Sequence, residues 1–468
     1  MQSSLFRKKD IYKVRDVNAH DNLEKVLGPI DLLAIGIGAL MGTGIFVLTG
    51  VQAAQFSGPA VIISLAIAAM AAMFIGLVYT EVASAVPSSG GSYTYTYVSL
   101  GEMIAFMVGW LYLLYCLCAI PAVASGWGGY LVGILDQFHI HLPEALTKTP
   151  FEEGGMLNVP AMAVCLLMML ILLRGVKESA TLNIILVFIK LFAAFLFIAL
   201  AFPHFKFSNW SDFMPFGFKG VSISAGVLFF AYNGFDAVAN AAEECKNPTR
   251  DITIGLIGSL IICAIVYILI AVMLTGIVHY TKLNTPEALA YALKVNGSNI
   301  GGAIVAAGGI AGMTTVILFQ LYSVTRILMA MSRDRLLPVV FSKIHKKYHT
   351  PHIATIFCGI LCSLVAGLFP LDILGSLTSL SVLIVLMVVM IAAMRLRKTR
   401  PTIKRPFRCP AIYFIATMAI ICCLYLLVGL VQHVGNIFVW FLVAGFLVYF
   451  TYSKKKVDRC ATRQGVKK

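Results

Sequence analysis

Two glycine-rich breaks and one lysine carry most of the chemistry that this 468-residue sequence offers. Residues 36–46 read Gly-Ile-Gly-Ala-Leu-Met-Gly-Thr-Gly-Ile-Phe, with four glycines in nine positions. Each glycine costs a helix about 1 kcal/mol relative to alanine. Close helix packing accounts for Gly38 and Gly42, which are four apart. It does not account for Gly42-Thr43-Gly44, which puts small residues on both faces, so an unwound segment is expected there. Residues 229–237 read Phe-Phe-Ala-Tyr-Asn-Gly-Phe-Asp-Ala, with polar Asn233, the breaker Gly234 and acidic Asp236. A broken helix frees N–H groups for an anion at one stump and C=O groups for a cation at the other. Together the breaks suit a zwitterion. Its carboxylate would lie at Gly42, Thr43 and Gly44, and its ammonium at carbonyls near Leu40, Phe230, Ala231 and Asn233. Asp236 would fall in the first turn of a second half-helix, where the dipole favours an anion. Direct contact with a ligand is the other reading of Asp236.

Lys190 stands in Leu-Val-Phe-Ile-Lys-Leu-Phe-Ala-Ala-Phe, about 13 Å from the nearer end of its apolar run at 1.5 Å per residue. A lysine stem cannot snorkel that far. Three readings stand: a proton carrier beside a water path, a fixed cation in the place of a bound sodium ion, and a tilted helix that brings it nearer the interface. Arg326 lies about two turns from a span end, where snorkelling or a gate ion pair suits it. Glu81, about 1.5 turns before Pro87, is a candidate gate partner. Glu102 opens a span, where a dipole role suffices. Thr314 and Thr315 could offer hydroxyls to Lys190 or bond back to their own helix.

The elements that must position these residues are helices in lipid. Hydrophobic residues make up 59% of the chain and charged ones 12%, against about 25% charged in a soluble domain. That excludes a soluble enzyme, a disordered chain and a nucleic-acid binder. Runs long enough to cross a bilayer lie at 30–52, 59–86, 101–135, 157–174, 180–202, 221–241, 252–278, 300–331, 352–370, 372–394, 411–431 and 435–452. They are too long and too continuously apolar for strands of a lipid-facing barrel. Residues 1–28 are polar, lack an apolar signal core and are expected to stay as a tail. With the N-terminus inside, 29 of the 36 Lys and Arg fall on inner segments and 5 on outer loops. The net charge of +15 is therefore a topology signal, with both ends cytoplasmic. Of eleven cysteines, none falls in an outer loop, so no disulfide is expected. Thr285-Pro286-Glu287 reads as the start of a short outer helix, with a cap, a first-turn proline and an acid.

The broken runs each open a group of five. That points to an all-α integral membrane protein with twelve transmembrane helices, a five-plus-five inverted repeat, and its site at the midplane. The expected division is a tail at 1–29, a first repeat at 30–202, a second at 221–394, two further helices at 411–452 and a tail at 453–468.

The stretch 36–50 resembles the first-helix signature of amino acid–polyamine–organocation (APC) transporters. So do Pro87 to Tyr97, Phe229 to Val238, Glu243-Glu-Cys-Lys-Asn-Pro248 and Ser332-Arg-Asp-Arg-Leu-Leu-Pro338. Order and spacing cover nearly the whole chain and match the bacterial branch of the cationic amino acid transporter subfamily. The resemblance implies a leucine-transporter fold, with Thr43 and Gly44 holding a substrate carboxylate and carbonyls around Phe230, Ala231 and Asn233 holding its amine. It implies that Lys190 is the proton-coupling lysine, touching carbonyls near Gly42. Two positions depart from the pattern. Cationic-substrate relatives carry an acid near the position of Tyr115, and its absence removes the partner of a cationic side chain. Asn233 replaces a residue that is often apolar. It either bonds a polar substrate group or satisfies the unwound backbone.

The function expected is therefore not enzymatic. It is proton-coupled import of amino acids by alternating access, neutral ones favoured over cationic, in a plasma membrane, of bacterial inner-membrane type. The partners are an amino acid, protons and the lipid bilayer, with no nucleic acid and no cofactor. The rivals are an amino acid or polyamine exchanger, and a divalent-metal transporter or channel. Metal transport would need Asp or Asn together with Met or His ligands in the breaks. Gly42-Thr43-Gly44 has none, and the second break has Asn233 and Asp236 without His or Met. A membrane enzyme would need clustered acids, bases or metal ligands, and the nine histidines fall in tails, loops and span ends.

Overall fold

The computed structural model describes residues 6–10, 25–88, 90–137, 139–285 and 287–457. The chain is all-helical and multi-span. Among the described residues, eight helical stretches are long and apolar enough to cross a membrane. The shorter apolar helices Pro29–Leu40, Val159–Arg174, His352–Leu368 and Ile412–Leu427 accompany them.

Helix α1 (Pro29–Leu40) begins with proline at its first position, and Asp31 accepts the Gly28 N–H at 2.8 Å. It stops at Met41, whose backbone is extended. Helical winding resumes at Gly44–Leu48 in wide π turns and runs through Thr49–Gln52 to Ser57. Gly58, at φ +61°, reverses the chain into α2 (Val61–Ala85). A short helix, α3 (Gly91–Ser99), occupies what the sequence reads as a loop. Its small and aromatic residues are buried throughout, so tertiary packing rather than amphipathic periodicity makes it helical. Next come α4 (Glu102–Gln137), α5 (Val159–Arg174) and α6 (Val176–Ala201). Asn158 caps α5 by accepting the Ala161 N–H at 3.2 Å.

The second break follows α7 (Gly217–Leu228). A 3-10 turn over Phe229–Tyr232 ends at extended Asn233, and Gly234 turns at φ +114°. Helix α8 (Ala237–Asn240) is only four residues long. The remaining helices are α9 (Pro248–Ile277), α10 (Ala288–Val295), α11 (Asn299–Arg333), α12 (His352–Leu368), α13 (Leu371–Thr399) and α14 (Ile412–Val448). Helix α10 is the expected short helix, but it starts at Ala288 with Glu287 at its cap. The Thr285 hydroxyl finds no partner, so the expected threonine cap is not formed. Pro286 lies outside the described residues.

Helical backbone covers the whole of 412–448, where two runs with a break at 432–434 were expected. Both ends of this stretch sit against the same end of the bundle. The Cys409 N–H donates to Glu81 at 2.7 Å, and the Tyr449 hydroxyl donates to Glu102 at 3.2 Å. A straight helix of that length would span about 55 Å, so the stretch doubles back.

Helix α1 packs on α9, α6 and α11, and α4 packs on α11 and α13. The two breaks thus lie inside a jacket of long helices. One end of the bundle carries Arg395, Arg397, Arg400, Arg405 and Arg408 and is called the basic end below.

Candidate functional site

The two breaks meet. A Cβ placed on Gly44 would overlap the backbone of Ala231, and one on Gly234 would press on the Ala39 carbonyl. Glycine is required at both positions because two unwound backbones approach to contact distance, and Gly234 also needs its positive φ. A Cβ on Gly42 would crowd Val316, which explains the other glycine of that triplet by packing with α11.

Lys190 is fully buried, so it neither snorkels nor reaches an interface by tilt. Its Nζ donates to the carbonyls of Ile37 (2.8 Å), Gly38 (3.1 Å) and Met41 (3.2 Å) and to the Thr315 hydroxyl (2.9 Å). Those carbonyls lie where α1 stops, and the Ile37 carbonyl accepts the Met41 N–H at 3.0 Å as well as the ammonium. The ammonium satisfies them as a metal cation would. Both threonines bond back to their own helix, Thr315 to Gly312 at 2.7 Å, and Thr315 alone of the two also meets Lys190. Thr315 accepts from Lys190 and lies 2.8 Å from the Gly38 carbonyl, whereas Thr314 bonds back to Ile310 and receives the Trp127 N–H.

A cavity of about 760 Å³ leads from the end opposite the basic end to the breaks. Phe151, Glu152, Pro370 and Leu371 line its upper part, and Thr43 and Phe230 lie at its depth. Its walls are mostly apolar: Val47, Leu48, Val51, Val227 and Ile373, with Gln52, Ser376 and Ser379 as polar points. The Thr43 hydroxyl is buried and without a partner. Of the expected ammonium acceptors, the Phe230 carbonyl also accepts the Asn233 N–H at 3.2 Å. The Ala231 carbonyl accepts the Tyr267 hydroxyl at 3.2 Å. Each keeps a second lone pair.

Asn233 and Tyr115 are buried, and neither the Asn233 carboxamide nor the Tyr115 hydroxyl has a partner. The carboxamide therefore does not satisfy the unwound backbone, which was one of its two readings. Asp236 sits at the cap position of α8 but makes no capping bond. With only four residues in α8, the dipole expected to hold this carboxylate is short. The Tyr112 hydroxyl neighbours it, and Tyr112 in turn accepts from Asn240 at 3.1 Å.

The basic end is closed. Arg326 Nε meets Glu244 at 2.8 Å with both side chains buried, and its guanidinium lies 4.3 Å from the centre of the Tyr322 ring. Arg333 pairs with Glu243 at 3.1 Å, and Glu81 receives both Arg397 (3.3 Å) and Arg405 (3.1 Å). Arg326 and Glu81 thus hold ion pairs rather than pocket positions. Lys9 from the tail pairs with Asp334 at 2.8 Å, and Leu27 pairs by backbone with Glu244 and Lys246. Glu102 does more than complement a dipole, since it accepts from Tyr97 and Tyr449. The sequence reading missed Glu243, Glu244, Lys9 and Asp334 as partners; only fold-distant packing brings them together.

Known proteins share this pattern along the whole chain. The amino acid permease family matches residues 27–453. The chain is 42% identical over 454 residues to the methylthioribose transporter of Bacillus subtilis, covering 97% of this chain and 98% of that one. It is 41% identical to the branched-chain amino acid permease BcaP of the same organism, over 97% and 99%. Cationic amino acid transporter 4 of Homo sapiens is 36% identical over 77% of this chain and 58% of its own. With broken helices meeting beneath an apolar vestibule and a match spanning nearly its full length, the chain belongs to the amino acid permease family, a family of transporters and not of enzymes.

Proposed function

We propose that the protein is a proton-coupled importer of neutral, apolar amino acids that works by alternating access. The observation that carries this reading is the floor of the cavity, where Thr43 and Phe230 from the two breaks lie together beneath apolar walls. In this reading the substrate carboxylate takes the N–H groups at Gly42, Thr43 and Gly44. Its ammonium takes the carbonyls of Leu40, Phe230, Ala231 and Asn233, and its side chain lies along Val47, Val227 and Ile373. Tyr115, where cationic-substrate relatives have an acid, is not among the cavity's lining residues, and in this reading the substrate side chain reaches it once the site closes. The apolar walls and the branched-chain permease relative both favour valine, leucine or isoleucine.

Lys190 is the coupling group. Protonated, it ties the end of α1 to α6 and α11. Deprotonated, it loses donors, and α1 is free to move against the bundle. The closed basic end is the cytoplasmic gate, and the cavity faces outside. The architecture proposed is twelve spans, with repeats at 30–202 and 221–394, further helices at 411–452, and both ends in the cytoplasm of a bacterial cell.

The test is uptake of labelled L-isoleucine into proteoliposomes with an imposed inward proton gradient. Accumulation that rises with the gradient, without internal amino acid, supports the reading. Uptake only against internal substrate would assign the protein as an exchanger instead. A second reading is favoured by one observation: the unpartnered polar groups of Thr43, Tyr115 and Asn233 suit a hydroxyl-bearing substrate, as the methylthioribose transporter relative suggests. Competition of isoleucine uptake by methylthioribose separates the two.

A further inference from the structure

Two turns from Lys190 along α6, towards the basic end, stands Asn183. It is completely buried, and neither Nδ2 nor Oδ1 has a hydrogen-bond partner. Leaving a buried polar group unpaired costs about 1–3 kcal/mol, and an aliphatic residue would have avoided that. Asn183 and Lys190 are seven apart, so they share one face of the helix and are about 10 Å apart along its axis.

Both side chains converge on Gly38 of α1. Its carbonyl accepts from Lys190 Nζ at 3.1 Å. A Cβ at Gly38 would overlap Asn183 Oδ1, so the carboxamide lies directly on that backbone. One helical step nearer the basic end, Ser259 of α9 lies equally close to Gly36. Polar side chains therefore line α1 from Lys190 towards the basic end, each admitted by a glycine. Around Lys190 the facing groups are the α1 carbonyls, Thr315 of α11 and the Cys263 thiol of α9. Among the described residues no carboxylate faces it, so a departing proton has no acid to receive it.

We propose that the Asn183 carboxamide is a water-holding relay through which the proton of Lys190 leaves towards the basic end. This rests on the proton-coupled reading above. A carboxamide both donates and accepts, so it fixes a water without titrating. In the transfer, an N–H bond of the ammonium breaks and an O–H bond forms on that water. Lys190 becomes a neutral amine, and the extra proton passes on to the next water. Asn183 keeps its own protons and acts as a positioning residue.

The experiment compares Asn183→Leu and Asn183→Ser with wild type in proteoliposomes that report internal pH. Counterflow of labelled L-isoleucine against internal isoleucine needs carrier movement but no net proton release. Asn183→Leu is expected to keep counterflow within twofold and to lose proton-driven net uptake at least tenfold. Asn183→Ser, which retains a water-binding hydroxyl, is expected to recover part of that loss, and it decides the matter if the leucine variant does not fold. Wild-type proton influx in Asn183→Leu overturns the relay, as does equal loss of counterflow and net uptake in both variants. Wild-type protein that accumulates isoleucine without internal acidification overturns the coupling reading instead, and that is seen before any variant is made.

Discussion

Lys190 Nζ and the Gly38 carbonyl lie 3.1 Å apart, so a cation on α6 completes the stump of α1. The break is thereby tied to a protonation state, because the ammonium brings a charge and three N–H bonds to the four acceptors at Ile37, Gly38, Met41 and Thr315, and the neutral amine only two and no charge. Lys190→Ala is expected to lower proton-driven isoleucine accumulation at least tenfold and to make the residual uptake insensitive to outside pH. Wild-type uptake should rise as the outside pH falls. A Lys190→Ala variant with the wild-type pH profile would remove lysine from the mechanism.

Gly44 tests the carboxylate site. Its α-hydrogen faces the Ala231 backbone, so the two breaks touch there without a side chain between them. Gly44→Val drives them apart. Isoleucine should then give no thermal stabilisation of the purified protein, whereas wild type gains about 2.7 kcal/mol at a hundredfold excess over Kd. Stabilisation equal to wild type in Gly44→Val would refute the placement.

The Arg326–Glu244 pair is buried on both sides at 2.8 Å. Removing one partner of such a pair costs about 3–5 kcal/mol, because the other charge is stranded. Arg326→Met is expected to lower the unfolding temperature sharply, and adding Glu244→Gln should restore much of the loss. Additive effects in this double-mutant cycle, read from thermal unfolding, would show that the pair is not coupled.

Cys409 reports on the same end of the bundle. Its N–H is held by Glu81, and burial first, with the Glu81 charge second, pushes its thiol up to about 11. Only the thiolate reacts with maleimide, so labelling near pH 7.5 should be slow and should rise as pH approaches 11. Glu81→Gln removes one cause of the shift and loosens the loop, and labelling should rise several-fold. With Cys422 and Cys460 replaced by serine, mass spectrometry reads the result. Labelling of the unaltered site at the rate of a free thiol would contradict the burial.

Much of this was legible in the sequence because lipid simplifies the code. Apolar runs reveal helices, and glycine and polar residues inside them stand out as exceptions, which is how Gly44, Asn233 and Lys190 were found. The four-residue length of α8 was not legible, because its surroundings are set by residues distant in the chain, such as Tyr112, which accepts from Asn240 at the helix's end. Helix α3 escaped for a related reason: Gly91 and the tyrosines after it are helical only once buried among other helices. Ion pairing by Arg326 and Glu81 was legible, but their partners and the Lys9–Asp334 pair escaped, because loop charges look solvated until the fold pairs them.

Tyr115 bears on which side chains are accepted. It is buried, packs edge-on against Tyr112 at 5.2 Å between ring centres, and keeps a hydroxyl without a partner. A guanidinium brought here would lose its hydration at a cost of several kcal/mol, and Tyr115 itself supplies no charge to offset it. The acid nearby is the buried Asp236, which acts on both tyrosines. Arginine is therefore expected not to compete with isoleucine uptake in wild type, even at a hundredfold excess. Tyr115→Glu places the missing carboxylate. It should let arginine compete, with the inhibition constant falling at least tenfold, while isoleucine affinity drops because a buried acid now lacks its partner. Tyr115→Phe removes only the unpartnered hydroxyl and should leave isoleucine uptake within about twofold, which separates loss of shape from gain of charge. Arginine competing in wild type as well as isoleucine does would overturn the neutral-substrate reading. Exclusion of arginine by a Tyr115→Glu protein that still takes up isoleucine would place the side-chain pocket elsewhere.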